Sequence, residues 1–113
     1  VIDSGQAFNV IYAENDDMAK GAVAALDKAN ISHGVGKDVI VMGFDCNKWA
    51  LEELLNQNWN YDGQCNPYQA SYIEDVIKKL ESGEKIDEKT IIMDEKGFDA
   101  TTITQDDVDQ FGI

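Results

Sequence analysis

The strongest constraint on the fold is an alternation between short apolar runs and segments whose apolar residues recur at helical spacing. The runs are rich in β-branched and aromatic residues, as buried strands are, and they cover residues 8–13, 38–44, 59–63 and 90–93. Segments with a helical apolar stripe follow the first three runs, at residues 16–30, 47–55 and 68–82. This order predicts right-handed βαβ crossovers between parallel strands. We therefore predict the α/β class, with a parallel sheet and flanking helices.

Several local features refine this prediction. Asn15 is an N-cap candidate for the first helix, Thr104 for a short helix in the acidic tail, and Gly83 is suited to end the third helix. Strand 38–44 lacks the alternation of a half-exposed strand, so we expect helices on both of its faces. In the third helix we expect a buried stripe, consisting of Ile73, Val76, Ile77 and Leu80.

Charge and composition exclude several functions. The 113 residues include 22 acidic side chains and nine lysines but no arginine, which gives a net charge of −13. Such a chain repels phosphates, so no nucleic-acid partner is expected. Cys46 and Cys65 lack the paired spacing of a zinc site and His33 is the only histidine, so we predict no metal and no cofactor. Residues 1–7 do not resemble a signal peptide, and no segment approaches the roughly 20 apolar residues of a membrane span.

Polar side chains follow three successive strands, at the edge where open parallel sheets bind ligands. They are Glu14, Asn15 and Asp16, then Asp45, Cys46 and Asn47, then Gln64, Cys65 and Asn66. Carboxylates and amides of this kind can hydrogen-bond several hydroxyl groups at once. No serine has a histidine partner in the pattern and no strong general base is visible, so we predict a binding protein and not an enzyme. Helix capping alone would also account for Asn15 and Asp16.

Four sequence blocks resemble a known family. Residues 12–22 are similar to the Asn-Asp-x-Met-Ala-x-Gly-Ala signature of type I periplasmic binding proteins, the sugar-binding components of ABC importers. Residues 36–45 resemble the family's glycine-lysine loop, apolar strand and Gly-Phe-Asp end. Residues 64–68 and 80–85 resemble the blocks before and after its last large helix. The four blocks occur in the family's order and spacing.

The resemblance implies a two-lobed fold of which this chain is a C-terminal fragment. Residues 1–65 would be part of the second lobe, and residues 66–113 the hinge crossover, a first-lobe-type helix and the C-terminal tail. Cys65, Asn66 and Pro67 would form the hinge. The implied partners are a monosaccharide or small sugar and the membrane subunits of an ABC transporter, in an extracytoplasmic location, periplasmic or as a surface lipoprotein. A fragment with uncovered apolar faces is also expected to dimerise.

The resemblance also implies roles for individual residues. Asn15 and Asp45 match positions whose side chains hydrogen-bond sugar hydroxyls, without any chemistry on the sugar. Cys65 falls where many members have a ligand-binding glutamine, and Gln64 or Asn66 could take its place, although adjacent strand residues point to opposite sides.

A Cys46–Cys65 disulfide is a further hypothesis. The two residues end strands that should be neighbours, and parallel neighbours lie about 4.8 Å apart, within the range that a disulfide spans. The implied extracytoplasmic setting favours oxidation. The alternative is a pair of thiols.

Three other interpretations remain open. A receiver-like phosphoacceptor domain would use Asp45 near Asp16 and Asp17, but the run at 90–93 is not followed at once by the required lysine. The ligand core of a LacI-type transcription regulator shares the same blocks, although the acidic tail is more typical of the transport proteins. A calcium site in the tail is not favoured, because the spacing differs from an EF-hand loop at Asp106, Asp107 and Asp109.

Overall fold

The computed structural model describes residues 1–113 and contains four strands and four α-helices. In chain order they are β1 (Val10–Tyr12), α1 (Asp16–Lys28), β2 (Ile40–Asp45), α2 (Lys48–Leu55), β3 (Tyr61–Gln64), α3 (Ala70–Glu81), β4 (Gly97–Asp99) and α4 (Gln105–Phe111). A single 3-10 turn at Ile2–Ser4 precedes them. The sheet order is β1-β2-β3-β4, with β1, β2 and β3 parallel and β4 antiparallel to β3. The predicted α/β class is confirmed. None of the helices combines the length and apolar character needed to cross a membrane.

The chain forms two compact units. One consists of Val1–Cys65 together with Lys96–Ile113, and the other of Asn66–Glu95. The sequence-based division also falls after residue 65, but it groups residues 96–113 with residues 66–95. These residues instead belong to the first unit, because β4 pairs with β3 and α4 packs against α2. The assignment of the pieces to lobes of a larger protein stays a prediction.

The core of the first unit lies between one face of the sheet and the helices α1, α2 and α4. Helix α1 packs on β1 and β2, and α2 packs on β3 and β4. The largest fully buried apolar side chains belong to this layer, and they are Trp59, Leu26, Leu51, Leu54, Val39, Val41 and Val108. Trp49 packs edge-on against Trp59 with 5.8 Å between ring centroids. Trp59 is thus part of the core, and Trp49 is partly buried and packs against it.

The expectation that helices cover both faces of β2 is wrong. Ile40 is 42% exposed, and Val10 and Tyr12 on the β1 edge strand are 47% and 64% exposed. Strands β1, β2 and β3 are consecutive, and right-handed crossovers between consecutive strands place their helices on the same face. The apolar residues on the other face therefore remain partly exposed.

The predicted fourth strand is also misplaced. Residues 90–93 form no strand, and Ile92 is 86% exposed. The strand that pairs with β3 is β4, where Phe98 is buried and Gly97 lies against the Tyr61 ring. A side chain at residue 97 would collide with the Tyr61 hydroxyl, so close approach of the backbone selects Gly97 for this pairing.

Helix α3 forms the main part of the second unit, and its apolar stripe is not buried. Ile73, Ile77 and Leu80 are 55%, 48% and 58% exposed, which corrects the expected burial. Ile73, Val76 and Ile77 of the stripe line one shallow pocket together with Ile91 and Met93 from the segment after the helix. Gly83 adopts a left-handed conformation with φ 79° after the last turn, as its predicted role requires.

Helix α4 begins at the predicted N-cap, Thr104, and the structure adds a capping box there. The Thr104 side chain accepts a hydrogen bond from the Asp107 N–H, and the Asp107 carboxylate accepts one from the Thr104 N–H. These contacts satisfy two backbone donors that the helix itself cannot pair.

Candidate functional site

The carboxyl ends of β1, β2 and β3 form one rim, as parallel pairing requires. Tyr12 pairs with Met42 across the first two strands, and Asp45 pairs with Gln64 across the next two. Asp45 and Gln64 are therefore direct neighbours at the sheet edge. Asn15 lies three residues beyond the end of β1, at the start of α1.

Asn15 is the N-cap of α1, so the capping prediction is confirmed. Its Oδ1 accepts a hydrogen bond of 2.8 Å from the Met18 N–H. That bond uses one side-chain oxygen and leaves the two amide protons of Asn15 available as donors. A cap residue is therefore also able to donate to a ligand hydroxyl. The sugar-binding role of Asn15 stays a prediction.

The turn after β2 has an unusual backbone. Asp45 and Cys46 have φ values of 119° and 60°, which side-chain-bearing residues seldom adopt. The Asn47 N–H donates to Oδ2 of Asp16 at 2.8 Å, and the Asn47 side-chain amide donates to the same oxygen at 3.1 Å. Asp16 thus ties the start of α1 to the turn that carries Asp45. We call residues 45–47 the rim turn.

The C-terminal residue also holds this region. The Ile113 N–H donates to the Cys46 carbonyl at 3.1 Å, and the Ile113 carbonyl accepts from the Lys48 N–H at 3.0 Å. Gly112 approaches Lys48 so closely that a side chain at residue 112 would touch the Lys48 Cα. The acidic tail therefore contributes contacts to the rim, which the sequence pattern did not indicate.

Asp62 is the buried residue that the sequence reasoning missed. Asp62 and Asp16 are both fully buried and lie within hydrogen-bonding reach of each other. Burial, followed by the charge of Asp16, raises the pKa of Asp62 to about 8. Burial also raises the pKa of Asp16, against the hydrogen bonds from Asn47 that lower it. An acidic residue in the middle of a strand, between Tyr61 and Gly63, was the only sequence indication of this pair.

Two hydrogen bonds join Gln64 to Lys96, the residue before β4. Its backbone N–H donates to the Lys96 carbonyl at 2.8 Å, and its side-chain Oε1 accepts from the Lys96 N–H at 3.2 Å. The Gln64 side-chain amide group keeps its two protons for other acceptors. The binding role of Gln64 stays a prediction.

The two cysteines lie in different environments. Cys46 is buried with its Sγ 3.9 Å from Oδ1 of Asp62, and Cys65 is exposed. Both are thiols in the structure, so the hypothesised disulfide is not formed there. The two sulfur atoms therefore differ in their surroundings, since one is buried beside the Asp62 carboxyl and the other is exposed. The binding role of Cys65 stays a prediction.

The second unit begins with the remaining predicted site residues. The Asn66 side-chain oxygen accepts from the Tyr68 N–H at 2.9 Å, and the Asn66 N–H donates to Oε1 of Glu95 at 2.8 Å. Pro67 is exposed and precedes α3 by three residues. The contact with Tyr68 forms a local turn, and the contact with Glu95 joins the start of the second unit to its end. The binding role of Asn66 and the hinge formed by Cys65, Asn66 and Pro67 stay predictions.

The rim offers hydrogen-bond donors and acceptors without a cluster of metal ligands. No group of three or more His, Cys, Asp or Glu side chains is arranged to hold a metal ion. The half-buried carboxylate of Asp45 accepts hydrogen bonds, and the amides of Asn15 and Gln64 donate them. This combination suits a neutral ligand that carries several hydroxyl groups.

Open parallel sheets bind ligands at such a rim, and known proteins that resemble the chain are sugar-binding proteins of importers. No family model matches the sequence. The chain is 33% identical, over 92 residues, to the fructose import binding protein FruE of Bifidobacterium longum, covering 81% of this chain and 27% of that protein. It is 40% identical over 47 residues to the ribose import binding protein RbsB of Bacillus subtilis, covering 42% of this chain and 13% of that protein.

Solved structures match over most of the chain. A Mycobacterium smegmatis protein in complex with β-D-fucofuranose is 28% identical with a TM-score of 0.73, covering 88% of this chain and 32% of that one. The periplasmic binding protein of the arabinose ABC transporter from Shewanella sp. ANA-3, bound to arabinofuranose, is 25% identical with a TM-score of 0.76 and the same coverage. The chain belongs to the type I periplasmic binding protein family. It spans about a quarter of the fructose-binding relative and about a third of each solved chain.

Proposed function

We propose that this chain is the C-terminal part of the solute-binding protein of an ABC importer for sugars. The observation that carries the proposal is the rim, because Asp45 and Gln64 end neighbouring parallel strands and Asn15 follows the end of the third, β1, at the same edge of the sheet. The names of the relatives support the same substrate class, since they are import binding proteins for fructose and ribose. An importer component is favoured over a LacI-type regulator for that reason.

The ligand proposed is a monosaccharide or small saccharide. Asp45 accepts hydrogen bonds from sugar hydroxyls, and the amides of Asn15 and Gln64 donate to the hydroxyl oxygens. Cys65 and Asn66 are further candidate contacts from the hinge. Solved relatives bound to fucofuranose and arabinofuranose support a five-membered sugar ring as one form to test. The protein binds and releases the sugar unchanged, so no enzymatic step is proposed.

The proposed complete protein has a second lobe that closes over the sugar. Residues 66–67 then cross the hinge, and α3 packs its apolar stripe against the other lobe. The exposure of Ile73, Ile77 and Leu80 supports this, because apolar side chains on one helical face normally have a partner surface. The closed form would be recognised by the transporter's membrane subunits, outside the cytoplasm.

The isolated chain is proposed to self-associate. Its exposed apolar residues lie on the open sheet face (Val10, Tyr12 and Ile40) and on α3 (Ile73, Ile77 and Leu80). Sedimentation velocity across a concentration series tests this, and a single monomeric species at all concentrations contradicts it. Ile77→Glu places a charge on the α3 stripe and leaves the residues of the sheet face unchanged. Its effect on self-association therefore shows which of the two surfaces mediates it.

Calorimetry tests the proposed function. The complete polypeptide that contains this chain is titrated with fructose, ribose, arabinose, galactose and allose, and micromolar or tighter binding to at least one of them is expected. The 113-residue chain alone is expected to bind none of them with micromolar affinity, because half of the cleft is absent. The proposal is contradicted if the complete protein is folded and binds no sugar. Tight binding by the 113-residue chain alone contradicts the statement that two lobes are needed to bind the sugar.

A further inference from the structure

Two buried carboxyl groups beside the rim each have one oxygen that accepts no hydrogen bond from a backbone or side-chain donor of another residue. Asp16 and Asp62 have no exposed surface. Oδ2 of Asp16 accepts two hydrogen bonds from Asn47, and Oδ1 of Asp62 lies 3.9 Å from the Cys46 sulfur. Oδ1 of Asp16 and Oδ2 of Asp62 accept no hydrogen bond from any other residue. A carboxylate oxygen buried in this way is costly unless a proton or another donor satisfies it.

Both carboxyl groups lie beside Gly43, which has no side chain. Asp62 on β3 pairs with Gly43 on β2, so the missing side chain of Gly43 makes room beside Asp62. A Cβ at residue 43 would lie 2.6 Å from Oδ1 of Asp16. The carboxyls are within hydrogen-bonding reach of each other. Two ionised carboxylates at that distance repel, whereas one proton between them forms a strong hydrogen bond.

Burial and the Asp45 charge favour a proton on the pair, whereas hydrogen bonds from Asn47 and Cys46 favour the ionised form. The charged neighbour is the Asp45 carboxylate, whose negative charge raises the pKa of both Asp16 and Asp62. The Cys46 thiol and backbone N–H also face Asp62, and the N–H partly offsets the rise. Burial is the largest of the causes that raise the pKa of Asp62 to about 8, followed by the charge of Asp16.

The pair holds the rim turn through successive backbone amides. The Cys46 N–H donates to Asp62, and the Asn47 N–H donates to Asp16 at 2.8 Å. The positive φ values of Asp45 and Cys46 set the direction of these two amides. Strained backbone of this kind persists only where its surroundings hold it. The carboxyl pair is therefore a fixed anchor beneath the residue proposed to bind sugar.

We propose that Asp16 and Asp62 share one proton and act as a positioning pair that holds the rim turn, so that loss of the proton loosens the turn. This inference depends on the proposed function only for the statement that Asp45 binds a sugar. In the native state the pair keeps at least one proton that the unfolded chain releases above about pH 4, so the native state binds more protons between about pH 4 and about pH 8. Stability therefore falls as pH rises through this window, and the rim turn loosens.

Chemical denaturation without any sugar tests the proposal. For the wild-type chain, the unfolding equilibrium constant is expected to rise by up to tenfold per pH unit between pH 5 and pH 7.5, the value for one linked proton. In Asp62→Asn the amide donates permanently to Asp16, so this dependence is expected to disappear. Asp75→Asn removes the same charge from an exposed position on α3 and is expected to keep the wild-type dependence.

A second readout follows the turn itself. The hydrogen-exchange protection factor of the Asn47 amide is expected to fall at least tenfold from pH 5 to pH 7.5 in the wild type and to stay constant in Asp62→Asn.

If Asp62→Asn does not fold, carboxyl carbon resonances of the wild type are followed by NMR, and one aspartate titrating above pH 6 is expected. Equal pH dependence in Asp62→Asn and wild type overturns the proposal, as does titration of every aspartate below pH 5. Stabilisation by Mg²⁺, Ca²⁺ or Na⁺ in place of the proton overturns it as well.

Discussion

Gly43→Ala tests the packing beneath the rim most sharply. The added Cβ would lie 2.6 Å from Oδ1 of Asp16 and 2.9 Å from the Trp59 ring, both closer than atoms in van der Waals contact. Asp16 and Trp59 are almost completely buried, so neither moves into solvent. Overpacking of a core costs about 1–3 kcal/mol, and burial of one methyl group returns about 0.8 kcal/mol. We therefore expect a net loss of about 1–2 kcal/mol in the free energy of unfolding.

A matched glycine on α1 provides the control. Gly21 has nothing within 4 Å of its Cβ position, so Gly21→Ala gains helix propensity without collision. It is expected to raise the free energy of unfolding by about 0.5–1 kcal/mol. Both variants are measured by urea denaturation at pH 5, where the carboxyl pair retains its proton. If Gly43→Ala is as stable as Gly21→Ala, the close packing of Asp16, Gly43 and Trp59 is refuted.

Two further predictions concern the tail and the cysteines. Thr104→Ala removes the α4 cap and is expected to cost about 1 kcal/mol, measured by denaturation, and an unchanged stability would show that the capping box contributes nothing. Alkylation of the native, unreduced chain is expected to label exposed Cys65 quickly and buried Cys46 only after unfolding, as peptide mass spectrometry can show. If both cysteines of the unfolded chain resist alkylation until a reductant is added, the Cys46–Cys65 disulfide is present instead.

The parts of the fold that depend on neighbouring residues could be predicted from the sequence. The caps at Asn15 and Thr104 act within one helical turn, so the residue pattern contains all that determines them. The alternation of strands and helices likewise determined the parallel β1, β2 and β3. The rim followed, because parallel strands end at the same edge.

Features that depend on contacts between distant residues could not be predicted. The run at 90–93 has strand propensity, but pairing with β3 is decided by the fit of Gly97 against Tyr61 and by burial of Phe98. The apolar residues of α3 show which side of the helix is apolar, but they do not show which surface covers that side. The partnership of Asp62 with Asp16 requires the register in which Asp62 lies opposite Gly43, and the pattern around either aspartate does not contain that register.

The affinity of the Asp45→Asn variant for sugar tests the central proposal most directly. In the complete protein, the sugar bound most tightly by the wild type is titrated into Asp45→Asn and into the charge-matched control Asp75→Asn. Loss of a hydrogen bond to a charged group costs about 1.5–3 kcal/mol, so Kd is expected to rise about tenfold to a hundredfold in Asp45→Asn and to stay unchanged in Asp75→Asn. An Asp45→Asn protein that is folded and binds with the wild-type Kd would contradict the assignment of the rim as the sugar site.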